Sequence, residues 1–173
     1  MNRVSKQDKL VMQFLQENFD SRFLDKVMPR ISATANAGLV WILIACIMFM
    51  SNKYKDTSKI LIKALLISTF VCNVVLKPLF GRVRPFDAIE GIESKIKEPH
   101  DGSFPSGHTM ASFVAAMVIF CANPILGLIA FCLAFFIGLS RLYLLVHYPS
   151  DIIVGSWLGA FIGALSIFRF GKD

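Results

Sequence analysis

Five apolar runs divide the chain: Thr34 to Met50, Ile60 to Leu76, Thr109 to Ala122, Ile125 to Leu139 and Ile152 to Phe168. Each is near the roughly 17 to 25 residues that carry an α-helix across the hydrocarbon of a bilayer. The pattern predicts an all-α polytopic membrane bundle of about five transmembrane helices, with its core over residues 34–170 of a single domain spanning 1–173. The shorter runs need flanking residues to reach both faces, and one of them has the length of a buried core helix instead.

The first 33 residues read differently. Charges interrupt them throughout, so they lack the continuous apolar stretch of a signal peptide. Ser5 and Asp8 make a capping pattern ahead of Leu10, Val11, Phe14 and Leu15, and Phe23, Leu24, Val27 and Met28 repeat the spacing until Pro29, where the helix is expected to stop. This is the pattern of amphipathic helices lying in the membrane interface. A sixth span here would bury Glu17, Asp20, Arg22 and Asp25 in hydrocarbon.

Composition agrees with a membrane chain: 55% of the 173 residues are hydrophobic, 17% are charged, and mean hydropathy is +0.60. The net charge of +6 suits anionic headgroups. Nucleic acid is not an expected partner, because the basic residues are scattered outside any binding module. Cys46, Cys72, Cys121 and Cys132 all fall in apolar runs without CxxC or zinc spacing, and read as packing residues. Lys63, near the start of the second run, can snorkel to the interface.

Polar residues gather at three places: Lys77 to Pro85, Pro105 to His108, and Ser140 to Asp151. If each run crosses the membrane once, all three clusters emerge on one face and can meet in one pocket. Lys77, Arg82 and Arg84 form a cationic group suited either to a phosphate or to the headgroup region. A helix starting near Ser106 aims free N–H groups and a partial positive charge into the preceding loop, and Gly107 permits close approach. His108 would stand beside an anion held there and, protonated, could donate to a leaving oxygen. Arg141 adds a guanidinium. His147 and Asp151 are four apart around Pro149, a spacing that lets the carboxylate fix one ring nitrogen and leaves the other free as a nucleophile. Alternatively, Asp151 only favours the start of its helix.

Together, Lys77-x6-Arg84-Pro85, Pro105-Ser106-Gly107-His108 and Ser140-Arg141-x5-His147-x3-Asp151 resemble the three-part signature of the type 2 phosphatidic acid phosphatase (PAP2) family, which shares its site with vanadium haloperoxidases. The resemblance implies a membrane lipid phosphatase or diphosphatase. In it His147 attacks phosphorus to form a phosphohistidine, Asp151 orients His147, and His108 protonates the leaving group. Lys77, Arg84, Ser106, Gly107 and Arg141 would hold the phosphoryl oxygens. No cofactor and no metal are expected, because the cations neutralise the charge. Candidate substrates are undecaprenyl diphosphate, phosphatidylglycerophosphate and phosphatidic acid. An anionic-lipid transporter and a vanadate-dependent peroxidase are the alternatives. The family's usual arrangement implies a multi-pass protein of the cell membrane with an extracytoplasmic site. Lys53, Lys55, Lys59, Arg169 and Lys172 would then lie on the cytoplasmic side.

Two further features remain. Ile89, Ile92 and Ile96 recur at helical spacing in an acidic segment, and predict either a short interfacial helix or a solvated loop. Gly155, Gly159 and Gly163 make a stripe of small residues for close helix packing, within the chain or in a homodimer.

Overall fold

The computed structural model describes residues 4–19 and 21–171; Asp20 and Lys172, both among the charges considered above, lie outside the described residues. The described residues form helices and turns without a strand. Two N-terminal helices, α1 (Lys6–Asn18) and α2 (Arg22–Thr34), precede a 3-10 turn at Asn36–Gly38 and α3 (Leu39–Met50). Helix α4 (Lys55–Phe70) runs through a π-helical turn at Val71–Leu76 into α5 (Lys77–Phe80), and α6 (Pro85–Ala88) follows. After a long loop come α7 (Gly107–Ala122), α8 (Pro124–Tyr143) and α9 (Pro149–Phe170).

All five predicted apolar helices are present. Three stretches, Lys55–Ala88, α8 and α9, are long and apolar enough to cross a bilayer alone, and α2 with α3 makes a fourth if their 49° bend lies within one span. The fifth, α7, has 16 residues and serves as the central post. It packs against α4, α8 and α9 and buries Met110, Val114, Ala115, Ala116 and Val118 completely. The outer helices turn apolar side chains outward, with Ile47 on α3, Leu66 on α4, Ile129 on α8 and Trp157 on α9 all more than half exposed. Hydrocarbon solvates such a surface, so the chain is a polytopic membrane bundle.

The polar end departs from expectation in two places. Pro29 does not stop α2, which continues to Thr34. Proline removes only the bond to one carbonyl, and Met28 and Ser32, one turn apart, bury the same face on either side of it. Ile89, Ile92 and Ile96 form no helix. Gly91 takes a left-handed φ of 81° that breaks helical phase. Ile89 and Ile92 join Met12, Leu145 and Tyr148 in one buried cluster, and Ile96 packs on a second around Tyr143 and Val146. Helix α1 is therefore partly a packing element: Met12 is fully buried while Leu10 and Phe14 on the opposite side are exposed.

The small-residue stripe of α9 faces α7 of the same chain. A Cβ on Gly159 would stand 2.3 Å from the Met110 carbonyl oxygen, and one on Gly163 would stand 2.8 Å from that of Val114. Gly155, Gly159 and Gly163 are thus spent on a contact within the chain, the first of the two uses the stripe allowed. Because the obstruction is helix backbone, Gly159→Val should destabilise the bundle by about 3 kcal/mol or more. A thermal melt in detergent checks this; an unchanged Tm would contradict the packing.

Candidate active site

The three polar clusters meet. A cavity of about 510 Å3 at the polar end is lined by Lys77, Arg84, Gly107, His108, Arg141 and His147, together with Asn36 and Asp101. Each residue arrives by a local device. The π turn shifts helical phase just before Lys77. Ser106 caps α7, its hydroxyl accepting from the Thr109 N–H, and so presents Gly107 and His108 in the first turn. Pro149 opens α9 and Asp151 stands at its third position, where its Oδ2 accepts the Tyr148 N–H at 2.9 Å. Leu145 holds a left-handed φ of 57° in the turn from α8 to His147, with its side chain locked in the Met12 cluster.

His147 is almost wholly buried. Its Nδ1 lies 2.8 Å from the Ser103 carbonyl oxygen and 3.5 Å from Asp151 Oδ2. The nearer acceptor is thus a backbone group that residue patterns do not reveal. A carbonyl accepts only, so Nδ1 carries the hydrogen, and the lone pair belongs to Nε2, which faces Arg84 Nη1 at 3.4 Å. Burial, then the charges of Arg84, Arg141 and Lys77, push the imidazole well below the usual histidine range. The site disfavours the imidazolium, and Nε2, which accepts weakly from Arg84, carries the lone pair at the edge of a cationic cavity.

The cations are held differently from one another. Arg84 donates to the Val146 carbonyl at 2.7 Å, to the Asp101 carbonyl at 2.9 Å and to Asp101 Oδ1 at 2.7 Å. Lys77 pairs with the other oxygen of the same carboxylate. Burial works to raise the Asp101 carboxyl, yet hydrogen bonds from Lys77 and Arg84 outweigh it and hold it well below the usual carboxylate range. Arg141, 4% exposed, donates through Nη1 to Ser32 Oγ at 2.5 Å, while its Nε has no hydrogen-bond partner among the described residues. Arg141 lines the cavity and, among the described residues, its one side-chain partner is a neutral hydroxyl, so its charge is available to an anion there. His108 Nε2 lies 2.9 Å from Asn36 Oδ1, which anchors its ring from the turn before α3.

Of the sequence candidates, Lys77, Arg84, Gly107, His108, Arg141 and His147 line the cavity, whereas Ser106 and Asp151 stand behind it, fully buried. Arg82 leaves the group: it pairs with Asp8 and Asp151 and does not line this cavity. Asp101, Asn36 and the Ser103 carbonyl are additions. Only Asp101 carried a signal, an acid just ahead of the Pro105–His108 cluster. Among the described residues no group of three or more His, Cys, Asp or Glu gathers as a metal cluster would require.

A second cavity of about 650 Å3 adjoins the first and shares Lys77, Asp101, Gly107 and His108 with it. Its remaining wall is mainly apolar, with Ile42 of α3, Ile62, Leu65 and Leu66 of α4, and Ala111 of α7.

Known proteins agree with this architecture. LpxE of Aquifex aeolicus superposes with a TM-score of 0.82 at 27% identity, over 97% of this chain and 98% of that one. A transmembrane PAP2-type phosphatidylglycerolphosphate phosphatase from Bacillus subtilis superposes with a TM-score of 0.75 at 27% identity, over 99% and 88% of the two chains. In sequence, an undecaprenyl-diphosphatase of Sulfolobus acidocaldarius is 33% identical over 136 residues, covering 74% of this chain and 62% of that protein. The chain spans about half to three-fifths of the length of three curated relatives that it matches. The sequence profile of the PAP2 superfamily matches residues 57–172, which include all three polar clusters. The chain belongs to the PAP2 superfamily.

Proposed function

We propose that this protein is a membrane lipid phosphatase or diphosphatase that works through a phosphohistidine at His147. The observation that carries the reading is His147 with Nδ1 committed to the Ser103 carbonyl and Nε2 beside Arg84, at a cavity lined also by Lys77 and a buried Arg141. Cations in a partly desolvated cavity favour a transferring phosphoryl group as its charge spreads over three equatorial oxygens. The Asp101 carboxylate, held by Lys77 and Arg84, sits as a tethered anion and gives way as the substrate enters.

In the first step Nε2 of His147 bonds to phosphorus and the bond from phosphorus to the leaving oxygen breaks, with His108 supplying the proton that oxygen needs. In the second, His108 takes a proton from water, whose oxygen displaces His147 and releases orthophosphate. Asp151 stabilises the charge on the ring. Lys77, Arg84, Arg141 and the Gly107 backbone hold the phosphoryl oxygens, and Ser106 acts by capping α7. The adjoining apolar cavity suits a lipid tail running between α3, α4 and α7 while the phosphate reaches the cations. Polyprenyl diphosphates are the first candidates, by similarity to the undecaprenyl-diphosphatase, with phosphatidylglycerophosphate and phosphatidic acid next. The site faces the extracytoplasmic side of the cell membrane, leaving Lys53, Lys55 and Lys59 for the cytoplasmic side.

Phosphate release from these three lipids by protein purified in detergent with EDTA tests the reading. Release by wild type and not by His147→Ala supports it; anionic-lipid transport without release by either would replace it. The pH profile is a second test. Because burial and three cations disfavour the imidazolium, the acidic limb of kcat/KM should fall below the ordinary histidine value of about 6.5. A limb at or above that value would contradict a neutral His147 nucleophile.

A further inference from the structure

Behind His147, away from the cavity, lies a buried charge network of which the phosphoryl-transfer reading uses only Asp151. Arg82 Nη1 donates to Asp151 Oδ1 and, at 2.7 Å, to Ser150 Oγ. Its Nη2 donates to Asp8 Oδ2, also at 2.7 Å. Asp8, on α1, accepts in turn from the Ser150 N–H at 3.1 Å and the Ser150 hydroxyl at 2.7 Å. The guanidinium lies over the Tyr148 ring at 4.2 Å. Side-chain exposure is 0% for Asp151, 5% for Asp8 and 11% for Arg82. Burial works against the Asp8 charge, but hydrogen bonds from Ser150 and Arg82 outweigh it and hold the carboxyl below its usual range.

Ion pairs this buried are poor sources of stability, because desolvation offsets most of their attraction. Their geometry suggests another use. One oxygen of Asp151 is occupied by Arg82; the other takes the Tyr148 N–H and faces His147 Nδ1 at 3.5 Å. Asp8 holds the far edge of the same guanidinium and simultaneously the first turn of α9, so Arg82 cannot turn away without breaking two anchored contacts.

We propose that Asp8 and Arg82 are positioning residues for His147, keeping Asp151 ionised and aimed at the ring, so that α1 is a working part of the active site. This rests on the phosphohistidine reading above. When His147 bonds to phosphorus its ring becomes cationic, and only then does the carboxylate beside Nδ1 exert its full effect. The network therefore acts on the transition state and hardly on substrate binding. Without Arg82, a fully buried carboxylate loses its cation and takes up a proton or rotates toward another donor. Without Asp8, the guanidinium loses its second anchor.

The full chain in detergent, as wild type, Arg82→Gln, Arg82→Lys, Asp8→Asn and the double variant Asp8→Asn/Arg82→Gln, tests this with undecaprenyl diphosphate as substrate. Vanadate and sulfate are the two binding probes: vanadate can take the five-coordinate geometry with His147, and sulfate remains tetrahedral. Arg82→Gln should lower kcat about a hundredfold with KM within about threefold, and Asp8→Asn about tenfold. Vanadate affinity should fall about tenfold while sulfate affinity holds. Arg82→Lys should recover part of the loss, and the double variant should be no worse than Arg82→Gln alone. Unchanged kcat in both single variants would overturn the proposal, as would parallel losses in KM and sulfate affinity. Should Arg82→Gln fail to fold, Asp8→Asn and Arg82→Lys decide by the same split. If wild type releases no phosphate yet the vanadate and sulfate affinities still separate, the phosphatase reading fails and the positioning role stands.

Discussion

His147→Ala should lower kcat by at least about 10^4-fold, the scale on which enzymes lose a covalent nucleophile. No neighbour can take over. His147 is the imidazole whose Nδ1 hydrogen is committed to the Ser103 carbonyl, which leaves Nε2 as a lone pair aimed past Arg84 into the cavity. His108 is tied to Asn36 and, in the proposed mechanism, serves the leaving oxygen. The ring is nearly inaccessible, so alanine leaves a void, and the comparison requires a melting curve beside the assay. His147→Gln keeps most of the volume and should be equally inactive. Brief incubation with 32P-labelled substrate followed by alkaline gel separation should show acid-labile, base-stable label on wild type alone. Label retained by either variant would remove His147 from the nucleophile's role.

Arg141→Gln should lower kcat about 10^2- to 10^3-fold, the range for losing one preorganised donor to developing oxyanion charge. Lys77 and Arg84 share the Asp101 carboxylate, so part of their charge is spoken for before substrate arrives. Among the described residues Arg141 holds only Ser32, through Nη1, and no carboxylate pairs with it. It is the guanidinium with most to give to a phosphoryl group. Lysine should rescue poorly, because a single ammonium cannot reproduce the fork that grips Ser32 and an oxyanion together. The same substitution removes one of the charges that keep His147 neutral, so the acidic limb of kcat/KM should move to higher pH. A kcat within threefold of wild type and an unmoved limb would show that Arg141 is structural.

Much of this was legible in one dimension, for a physical reason. A bilayer requires long apolar helices, so hydropathy alone marks all five, while which of the shorter runs is the buried post, α7, is settled only by packing. Counting crossings brings the three polar clusters to one face, and the caps at Ser106 and Pro149 follow from backbone chemistry that residue type reports directly. Pro29 misled, and Ile89–Ile96 is the loop that one of its two readings expected but with its isoleucines packed inward, because neighbouring side chains are absent from any local pattern.

What only the tertiary structure decided is how the charges are shared. Residue type says that Arg82, Arg84 and Arg141 are cations; it does not say that Arg82 is consumed by Asp8 and Asp151, that Arg84 is clamped by Asp101, or that Arg141 holds a serine hydroxyl and, among the described residues, no carboxylate. Nor does it show that a backbone carbonyl from Ser103 is the nearest acceptor to His147. The apolar pattern is read by a solvent, which responds to composition averaged along a helix. Hydrogen bonds and ion pairs depend on ångström distances between segments up to 142 residues apart in sequence, as between Asp8 and Ser150, and those distances exist only once the bundle has packed.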